Sequence, residues 1–304
     1  MAQRTFVSAS GSDSNPGTRE SPCRSFQAAL AGTDPGGEVV ALNSGDYAPF
    51  VVDRAVTVAA APGAHAAISV SSGDGIHVLA GGTDSVVLRN LFLTGDGGRH
   101  GILFETGRSL DLELVTATGF AGRGLRVTAV NAAASLAVRD SVFRGNSAGV
   151  VVNGSTGGMI RFEIERTRAD RNTQNGFWFL GGVRGTVQNA TAAGNAGSGF
   201  FFQPEAVVTV FDSVADGNEN GVAVKDPGTL VHVTLVGTVL ANNLSVGVSA
   251  SPASLVRIGD STITGNGTGI SNTDGIVETL QNNLVRGNAT DVTGTLTRIG
   301  ETLS

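Results

Sequence analysis

The amino-acid sequence predicts an all-β protein, a parallel β-helix of about ten coils with a short capping helix near its N-terminus. The main observation is a repeat that runs from about residue 75 towards the C-terminus and is clearest in Ser135–Val152, SLAVRDSVFRGNSAGVVV. One glycine recurs in each repeat, at Gly75, Gly101, Gly124, Gly149, Gly176, Gly199, Gly221, Gly247 and Gly269. Successive glycines are 22 to 27 residues apart, and glycine-punctuated, β-rich units of that length are typical of a solenoid.

Each repeat contains three short strands. In the clearest one, Leu136 and Val138 alternate with small or polar residues, which indicates a first strand. Val142–Phe143 and Gly149–Val152 form two further apolar segments, separated by turn residues. Leucine-rich repeats share the period, but their spacing of leucines is absent, so three strands per repeat favour a parallel β-helix.

A column of asparagines accompanies the glycines. It comprises Asn146, Asn172, Asn195, Asn218, Asn243, Asn266 and Asn288, and Asp96 and Phe120 occupy the same place in the first two repeats. Stacked coils are about 4.8 Å apart, so the amides would lie above one another and could hydrogen-bond along the axis. We interpret the column as structural; a row of ligand-binding amides is the alternative.

The N-terminal part is less regular. Arg4–Ala9 is consistent with a lone strand, and Ser21 followed by Pro22 predicts the start of a short helix that ends near Ala31. Such a helix would cover the apolar end of the first coil. The other irregular strands are expected at Glu38–Leu42, Phe50–Val52, Ala55–Ala59 and Ala67–Val70, and the last regular strand at Leu296–Ile299. We expect one domain over residues 1–304, with the cap in 1–37, irregular coils in 38–74, regular coils in 75–299 and a tail in 300–304.

Composition excludes several classes of function. The formal net charge is −6, and the 20 basic residues are spread along the chain without a basic block, which argues against nucleic acid as a partner. No apolar run is long enough to span a membrane, and the single cysteine, Cys23, allows no internal disulfide. The four histidines, His65, His77, His100 and His232, lack metal-ligand spacing, and we expect them at the surface or in turns.

The segments FVSASGSDSNPGT, SPCRSFQAAL, GGEVVALNSGDY and AVTVAA resemble the N-terminal part of a widespread bacterial family of β-helix repeat proteins, whose fold is similar to that of pectin and pectate lyases. The resemblance continues through VVLRNLFLTGDGG (86–98) and the later repeats, so it covers essentially the whole chain. It implies a right-handed parallel β-helix. It does not imply one activity, because the wider superfamily contains lyases, hydrolases, esterases, epimerases and non-catalytic adhesins.

Charged residues are predicted to follow the outer face of the first strands. The inward residues of these strands align as Leu88, Leu112, Val138, Ile164, Val187, Val210, Leu235, Ile258 and Leu280. The residue after each points outward, which gives the column Arg89, Glu113, Arg139, Glu165, Gln188, Phe211, Val236, Gly259 and Gln281. Asp111, Glu163 and Arg257 lie two residues earlier on the same face. The sequence therefore predicts an Arg–Glu–Arg–Glu ladder over four coils.

Two interpretations of this face are open. Opposite charges on neighbouring strands stabilise a sheet by about 0.2–1 kcal/mol per pair, which explains the ladder without a ligand. The resemblance to pectate-lyase-like enzymes implies instead an outer face where carboxylates hold calcium and an arginine acts as base. On that interpretation the catalytic candidates are Arg139, Glu113 and Glu165, and the candidate calcium ligands are Asp111, Glu113, Glu163 and Glu165.

Glycoside hydrolysis is a further alternative. Glu113 and Glu165 lie two coils apart, about 9.6 Å between backbones, which suits a pair of catalytic carboxylates. The predicted loops are short, about ten residues at most, whereas a deep cleft that excludes water normally needs long loops. Whether the protein is an enzyme is therefore left open. We expect no cofactor, with calcium as the alternative.

An outward aromatic pair is the second candidate binding surface. Strand alternation places Phe177, Phe179, Phe200 and Phe202 inside the coils. Trp178 and Phe201 then face outward on adjacent coils, where they could stack on sugar rings or form a protein interface. Because the neighbouring Val151 and Ala223 are apolar, we favour the interface.

The C-terminal coils lack an evident cap. Their expected interior residues are Ile270, Val277, Leu280, Leu284, Val285 and Leu296, and only residues 300–304 follow the last predicted strand. Unpaired strand edges accept strands from other chains. We therefore expect this end to be covered by a neighbouring molecule or by a segment outside the sequence.

These observations predict a long surface that binds a polysaccharide or a protein without strong catalytic activity, with Asp111, Glu163, Trp178 and Phe201 as binding residues. The alternatives are a lyase or glycoside hydrolase that acts on acidic polysaccharide through the charged face, and a structural element that associates end to end. We expect a periplasmic or secreted protein whose signal peptide is not part of the sequence, since the first residues do not form one.

Overall fold

The computed structural model describes residues 2–128, 133–154, 158–225 and 228–300. In these residues the chain winds into coils of three strands, and equivalent strands of successive coils pair in parallel to form three sheets. Sheet A has 13 strands: β1 (Ala2–Val7), β2 (Thr33–Ala41), β5 (Val56–Ala60), β8 (Ser85–Arg89), β11 (Ser109–Glu113), β14 (Ala133–Arg139), β17 (Met159–Glu165), β20 (Val183–Gln188), β23 (Ala206–Phe211), β26 (Val231–Val236), β29 (Ser254–Gly259), β32 (Ile276–Thr279) and β35 (Thr297–Arg298).

Sheets B and C have 11 described strands each. Sheet B comprises β3 (Gly45–Tyr47), β6 (Ala66–Val70), β9 (Leu91–Gly95), β12 (Thr116–Thr118), β15 (Val142–Arg144), β18 (Arg168–Asp170), β21 (Thr191–Ala193), β24 (Val214–Asp216), β27 (Val239–Ala241), β30 (Thr262–Thr264) and β33 (Leu284–Val285). Sheet C comprises β4 (Phe50–Val52), β7 (Asp74–Leu79), β10 (His100–Thr106), β13 (Arg123–Val127), β16 (Ala148–Asn153), β19 (Phe177–Leu180), β22 (Ser198–Phe202), β25 (Asn220–Val224), β28 (Val246–Ala250), β31 (Thr268–Asn272) and β34 (Thr290–Thr293). The predicted β-helix is therefore confirmed.

The core is one contiguous apolar column inside the coils, from Val7 to Val277. Its aromatic residues include the predicted set of inward phenylalanines, Phe177, Phe179, Phe200 and Phe202, all fully buried. Phe177 stacks on Phe200 with ring centroids 5.2 Å apart, and Phe179 stacks on Phe202 at 5.5 Å. Full burial of one such side chain contributes about 1.5–3 kcal/mol, so these coils are well anchored.

The asparagine ladder is confirmed in the turn between sheets B and C. The backbone N–H of Phe120 donates to Asn146 Oδ1 at 3.0 Å, and the same contact repeats from each asparagine to the next, as far as Asn288. Asn288 in turn donates to Asp291 Oδ1 at 3.2 Å. Each buried amide therefore receives partners from its neighbours, as the stacked geometry requires.

The N-terminal helix forms, but it begins later than predicted. α1 spans Phe26–Gly32, and its N-cap is Ser25, whose hydroxyl accepts from the backbone N–H of Ala28 at 3.2 Å. The expected start at Ser21 is wrong because Cys23 instead pairs with Val7 beside β1. The buried face of the helix packs Phe26 against Tyr47 and Phe50, so it covers the first coil as expected.

Two expectations about the last coils are also wrong. Ile258 pairs with Thr279, so Leu280 lies one position later than the inward column. Leu284 pairs with Thr262 and is exposed, whereas Val285 is the inward residue of β33. These strands are short, and a register that rests on two to four residues is poorly specified by sequence. The expected tail lies outside the described residues except for Gly300.

His100 is not a surface or turn residue. It begins β10 and is only 3% exposed. Its Nδ1 accepts from the backbone N–H of Arg123 at 3.0 Å. His77 faces outward as expected, and its Nε2 lies 2.8 Å from Glu105 Oε2. Among the described residues, no helix is long and apolar enough to cross a membrane.

Candidate functional site: the charged face of sheet A

The predicted outward column is in register. Arg89 pairs with Glu113, Glu113 with Arg139, and Arg139 with Glu165 across β8, β11, β14 and β17. Asp111 and Glu163 lie on either side of Ala137, two residues before the column. The sequence therefore placed these side chains on one face correctly.

The ion pairs on this face differ from the expected ladder. Arg89 Nε donates to Glu113 Oε2 at 2.6 Å, but Arg139 Nη2 lies 3.3 Å from Glu163 Oε2, on the diagonal. Glu165 contacts Arg166, the residue that follows it in the turn. The continuous Arg–Glu–Arg–Glu ladder is therefore replaced by separate pairs, because long side chains reach diagonal neighbours as well as direct ones.

Arg166 is a charged residue that the sequence analysis missed. Its Nε and Nη2 donate to the two carboxylate oxygens of Asp140 at 2.7 and 2.9 Å. This hydrogen bonding lowers the pKa of Asp140 and raises the pKa of Arg166. Asp140 and Arg166 occupy equivalent turns of successive coils, and their opposite charges at that spacing in the sequence could have predicted the contact.

A hollow of about 280 Å³ opens beside Ala137. The small Ala137 side chain leaves space between Asp111 on β11 and Glu163 on β17, and Ser135 and Arg161 complete the rim. Burial raises the pKa of Asp111, and the nearby Arg139 opposes that shift. The hollow therefore combines the Asp111 carboxyl, whose pKa is raised, the Glu163 carboxylate, which is paired with Arg139, and the guanidinium group of Arg161.

Arginine side chains lie among the four candidate calcium ligands, Asp111, Glu113, Glu163 and Glu165. Glu113, Glu163 and Glu165 each contact an arginine, which competes with a cation. In the described part of the chain, no three histidine, cysteine, aspartate or glutamate side chains come together as a metal site would need. Calcium binding stays an untested prediction.

The outward aromatic pair lies on a different sheet. Trp178 on β19 and Phe201 on β22 are half-buried, with ring centroids 5.6 Å apart and tilted by 55°. Trp178 Nε1 donates to Gln203 Oε1 at 2.9 Å, so its polar atom is already satisfied. The structure does not bring this pair together with the charged face, because the two lie on sheets C and A.

Comparisons with known proteins agree with this architecture. The family model for the right-handed β-helix region matches residues 68–239 and 123–290. The chain is similar in structure to pectate lyase Pel9A, with a TM-score of 0.60 and 18% identity, covering 97% of this chain and 79% of that one. It is also similar to the A-module of the Azotobacter vinelandii mannuronan C-5 epimerase AlgE4, with a TM-score of 0.53 and 16% identity over 88% and 91% of the two chains.

A third similar structure is XylC in complex with xylose, with a TM-score of 0.59 and 8% identity over 91% of this chain and 69% of that one. No curated protein matches the sequence. Similarity at such low identity establishes the fold and not an activity. Because the matched regions span more than half of the sequence, the chain belongs to the right-handed β-helix family.

Proposed function

We propose that this protein binds a polysaccharide along the outer face of sheet A, with the hollow beside Ala137 as the central contact. The observation that carries the proposal is the hollow itself, where carboxylate and guanidinium groups meet on a face that solvent reaches. Arg139 and Glu163 are 41% and 57% exposed at their side chains, so a ligand has access to both.

The chemistry of the rim suits sugars. Carboxylate oxygens of Asp111 and Glu163 accept hydrogen bonds from hydroxyl groups, and Arg161 donates to hydroxyl, ring or carboxylate oxygens. Successive coils offer outward side chains about every 4.8 Å, so an extended polymer meets a regular series of contacts. Polysaccharide-active proteins among the structural neighbours support the choice of ligand class.

We favour binding over strong catalysis. Glu113 and Glu165, the carboxylates that the sequence suggests as catalytic, each form an ion pair with an arginine of this protein. The hollow is open and shallow, whereas catalytic sites usually exclude water. We further propose a periplasmic or secreted location, because polysaccharide ligands of this kind lie outside the cytoplasm.

Filling the hollow tests the proposal. Ala137→Tyr places a ring between Asp111 and Glu163, and we expect at least about a tenfold loss of affinity for the bound polymer, which corresponds to the loss of one or two good contacts. Thr209→Tyr is the matched control, since Thr209 occupies the same outward column three coils away. Affinity electrophoresis against pectate, mannuronan and a xylose polymer measures both variants. Equal binding by the two variants, or no binding of any polymer by the parent, overturns the proposal.

A second candidate function is glycoside hydrolysis, and one observation favours it. The raised pKa of Asp111 suits a general acid, while Glu163 lies two coils away, on the far side of Ala137. In an inverting mechanism Asp111 would protonate the leaving glycosidic oxygen, and Glu163 would take a proton from the attacking water. Two strand spacings, about 9.6 Å between backbones, are compatible with the separation such a pair needs.

Product analysis separates this candidate from binding alone. Hydrolysis releases reducing ends without an unsaturated sugar, whereas a lyase yields an unsaturated product that absorbs in the ultraviolet. We expect Asp111→Asn and Glu163→Gln each to abolish any hydrolysis while the polymer still binds. Release of reducing ends that survives in both variants would exclude these two carboxylates.

A further inference from the structure

A second hollow, of about 320 Å³, lies on sheet B, which forms a different face from the charged face of sheet A. Its rim carries three arginines, Arg144 on β15, Arg168 on β18 and Arg171 in the turn that follows. Two aspartates, Asp170 and Asp216, complete the polar lining. The rim therefore has an excess of positive charge in a chain whose net charge is −6.

Arg168 is held in place by Asp170. The Nε and Nη2 atoms of Arg168 lie 2.9 and 2.8 Å from Asp170 Oδ2, and Asp170 Oδ1 accepts from the backbone N–H of Ala193 at 3.2 Å. Asp170 is buried, so its position is fixed by the sheet. One edge of the Arg168 guanidinium is thus occupied, and the edge that includes Nη1 can donate to a ligand.

Arg144 and Arg171 differ from Arg168, which is paired with Asp170. Within the described ranges, neither forms an ion pair with a carboxylate, although both are exposed beside the hollow. Arg144 lies one strand before Asp170 in the same outward column. The guanidinium groups of Arg144 and Arg171 therefore neutralise no carboxylate, and they lie beside that of Arg168, which Asp170 holds in place. This arrangement suits an external anion.

The backbone at Arg171 gives independent support. Arg171 precedes the asparagine of the ladder, and the residue at this position has left-handed backbone in successive coils. In the other coils the position is held by Gly119, Gly145, Gly194, Gly217, Asn242, Gly265 and Gly287. Glycine and asparagine adopt this conformation readily, whereas Arg171, with a φ of 53°, adopts it at a free-energy cost. Backbone strain of this kind is common at ligand-binding sites. The Arg171 side chain lies over Gly194, in the hollow.

The two ends of the hollow differ in chemistry. The outward column runs from Arg144 through Asp170 and Ala193 to Asp216, so Asp216 lies three strands from Arg144. Asp216 Oδ1 accepts from Asn242 Nδ2 at 2.8 Å, and its carboxylate can accept from further donors such as hydroxyl groups. A ligand that carries an anionic group at one end and hydroxyl groups at the other matches both ends.

We propose that the hollow bounded by Arg144, Arg168 and Arg171 binds the oxyanion group of an acidic saccharide, either a carboxylate or a sulfate ester. The three guanidinium groups bind the anion, and Asp216 accepts from sugar hydroxyls. The arginines alone predict that the ligand carries an anionic group. That this group belongs to a saccharide rests on the proposed function. The volume lies near the lower end of the roughly 300–1,000 Å³ typical of small-ligand pockets, which suits a short segment of a chain.

The test is calorimetric titration of the full chain with trigalacturonate, neutral galactotriose and inorganic sulfate. Arg171→Gly restores the residue that neighbouring coils carry, so we expect a melting temperature equal to or above that of the parent. We expect this variant and Arg144→Gln each to weaken trigalacturonate binding at least about tenfold, as loss of a charge-assisted contact does. Arg108→Gln is the control, because it removes one exposed arginine from a turn between sheets C and A.

Each outcome decides the proposal. Binding of trigalacturonate that is lost in Arg171→Gly but kept in Arg108→Gln supports it, and equal binding by both variants overturns it. If sulfate and trigalacturonate bind equally well, or galactotriose binds as tightly as trigalacturonate, the acidic-saccharide assignment is overturned. The same titrations with the Ala137→Tyr variant separate the two sites. If Ala137→Tyr alone abolishes trigalacturonate binding and Arg171→Gly has no effect of its own, the ligand binds on sheet A and not in the hollow on sheet B.

Discussion

Arg139 Nη2 lies 3.3 Å from Glu163 Oε2, although the register partners of Arg139 are Glu113 and Glu165. Glu113 and Glu165 are instead contacted by Arg89 and Arg166. The face is therefore a set of local pairs, and removal of one arginine leaves the other pairs intact.

The first prediction concerns Arg139→Ala. Because both side chains of the Arg139–Glu163 pair are about half exposed, we expect the free energy of unfolding to fall by at most about 1 kcal/mol. Urea unfolding at low and high salt measures the change, and high salt should reduce it. A loss of several kcal/mol would contradict a local pair. Loss of polysaccharide cleavage with the fold intact would instead support the enzymatic alternative.

Much of the fold could be predicted because the repeat constrains it. A glycine equivalent to Gly149 recurs in each regular coil from Gly75 to Gly269, and an asparagine equivalent to Asn146 recurs from Asn146 onward. Together they fix which strand follows which turn. The choice of Glu163 over Glu165 by Arg139 could not be predicted, since a flexible side chain selects among partners of similar energy. The sequence did not predict the hollow on sheet B, because only the asparagines of the turns were aligned with one another. Aligning the preceding residue would have shown Arg171 in a column of glycines.

The second prediction tests the ladder at Asn195. Its Oδ1 accepts from the backbone N–H of Asn172 at 3.0 Å, and its Nδ2 donates to Ala169 O at 2.9 Å and Asn218 Oδ1 at 2.8 Å. Asn195→Ala leaves these buried groups without partners, so we expect a loss of about 1–3 kcal/mol in the free energy of unfolding.

Asn220→Ala is the control, because Asn220 is half-buried and its side chain makes no hydrogen bond within the part of the chain that the structure describes. Chemical unfolding should show little change for this variant. An unchanged unfolding midpoint for Asn195→Ala would argue strongly against a stabilising ladder.

The third prediction concerns pH and His100. Burial lowers the pKa of His100 to about 4, and Arg126, Arg99 and Arg123 act in the same direction, while Asp74 opposes them. The unfolded chain binds a proton near pH 6.5, so the native state binds fewer protons between pH 6.5 and 4. The contribution of neutral His100 to stability is therefore fully present above pH 6.5 and is lost as the pH falls towards 4.

His100→Gln removes this titration. We expect the difference in stability between the parent and the variant to be constant above pH 6.5 and to shift against the parent below it, as measured by unfolding at a series of pH values. His232→Gln, on the outer face of β26, serves as the control. A pH-independent difference for His100→Gln would show that His100 does not titrate in this way.

The last prediction concerns self-association, for which the C-terminal coil and the Trp178–Phe201 pair are the candidate surfaces. β33, β34 and β35 are the outer strands of the three sheets in the described residues, so each presents an unpaired edge. Ile276 and Leu284, on the last coils, are 53% and 54% exposed. Apolar side chains beside unpaired strand edges favour pairing with another chain.

We expect sedimentation velocity to show association of the parent as concentration rises, with a shift to monomer in the double variant Ile276→Lys, Leu284→Lys. Charged residues at an edge block strand pairing, which is why natural edge strands carry them. The double variant Trp178→Ser, Phe201→Ser is the matched comparison and should still associate, because the indole N–H is already bonded to Gln203 and the rings are half-buried. If only the serine variant becomes monomeric, the interface lies on sheet C, and a parent that stays monomeric at every concentration rules out both surfaces.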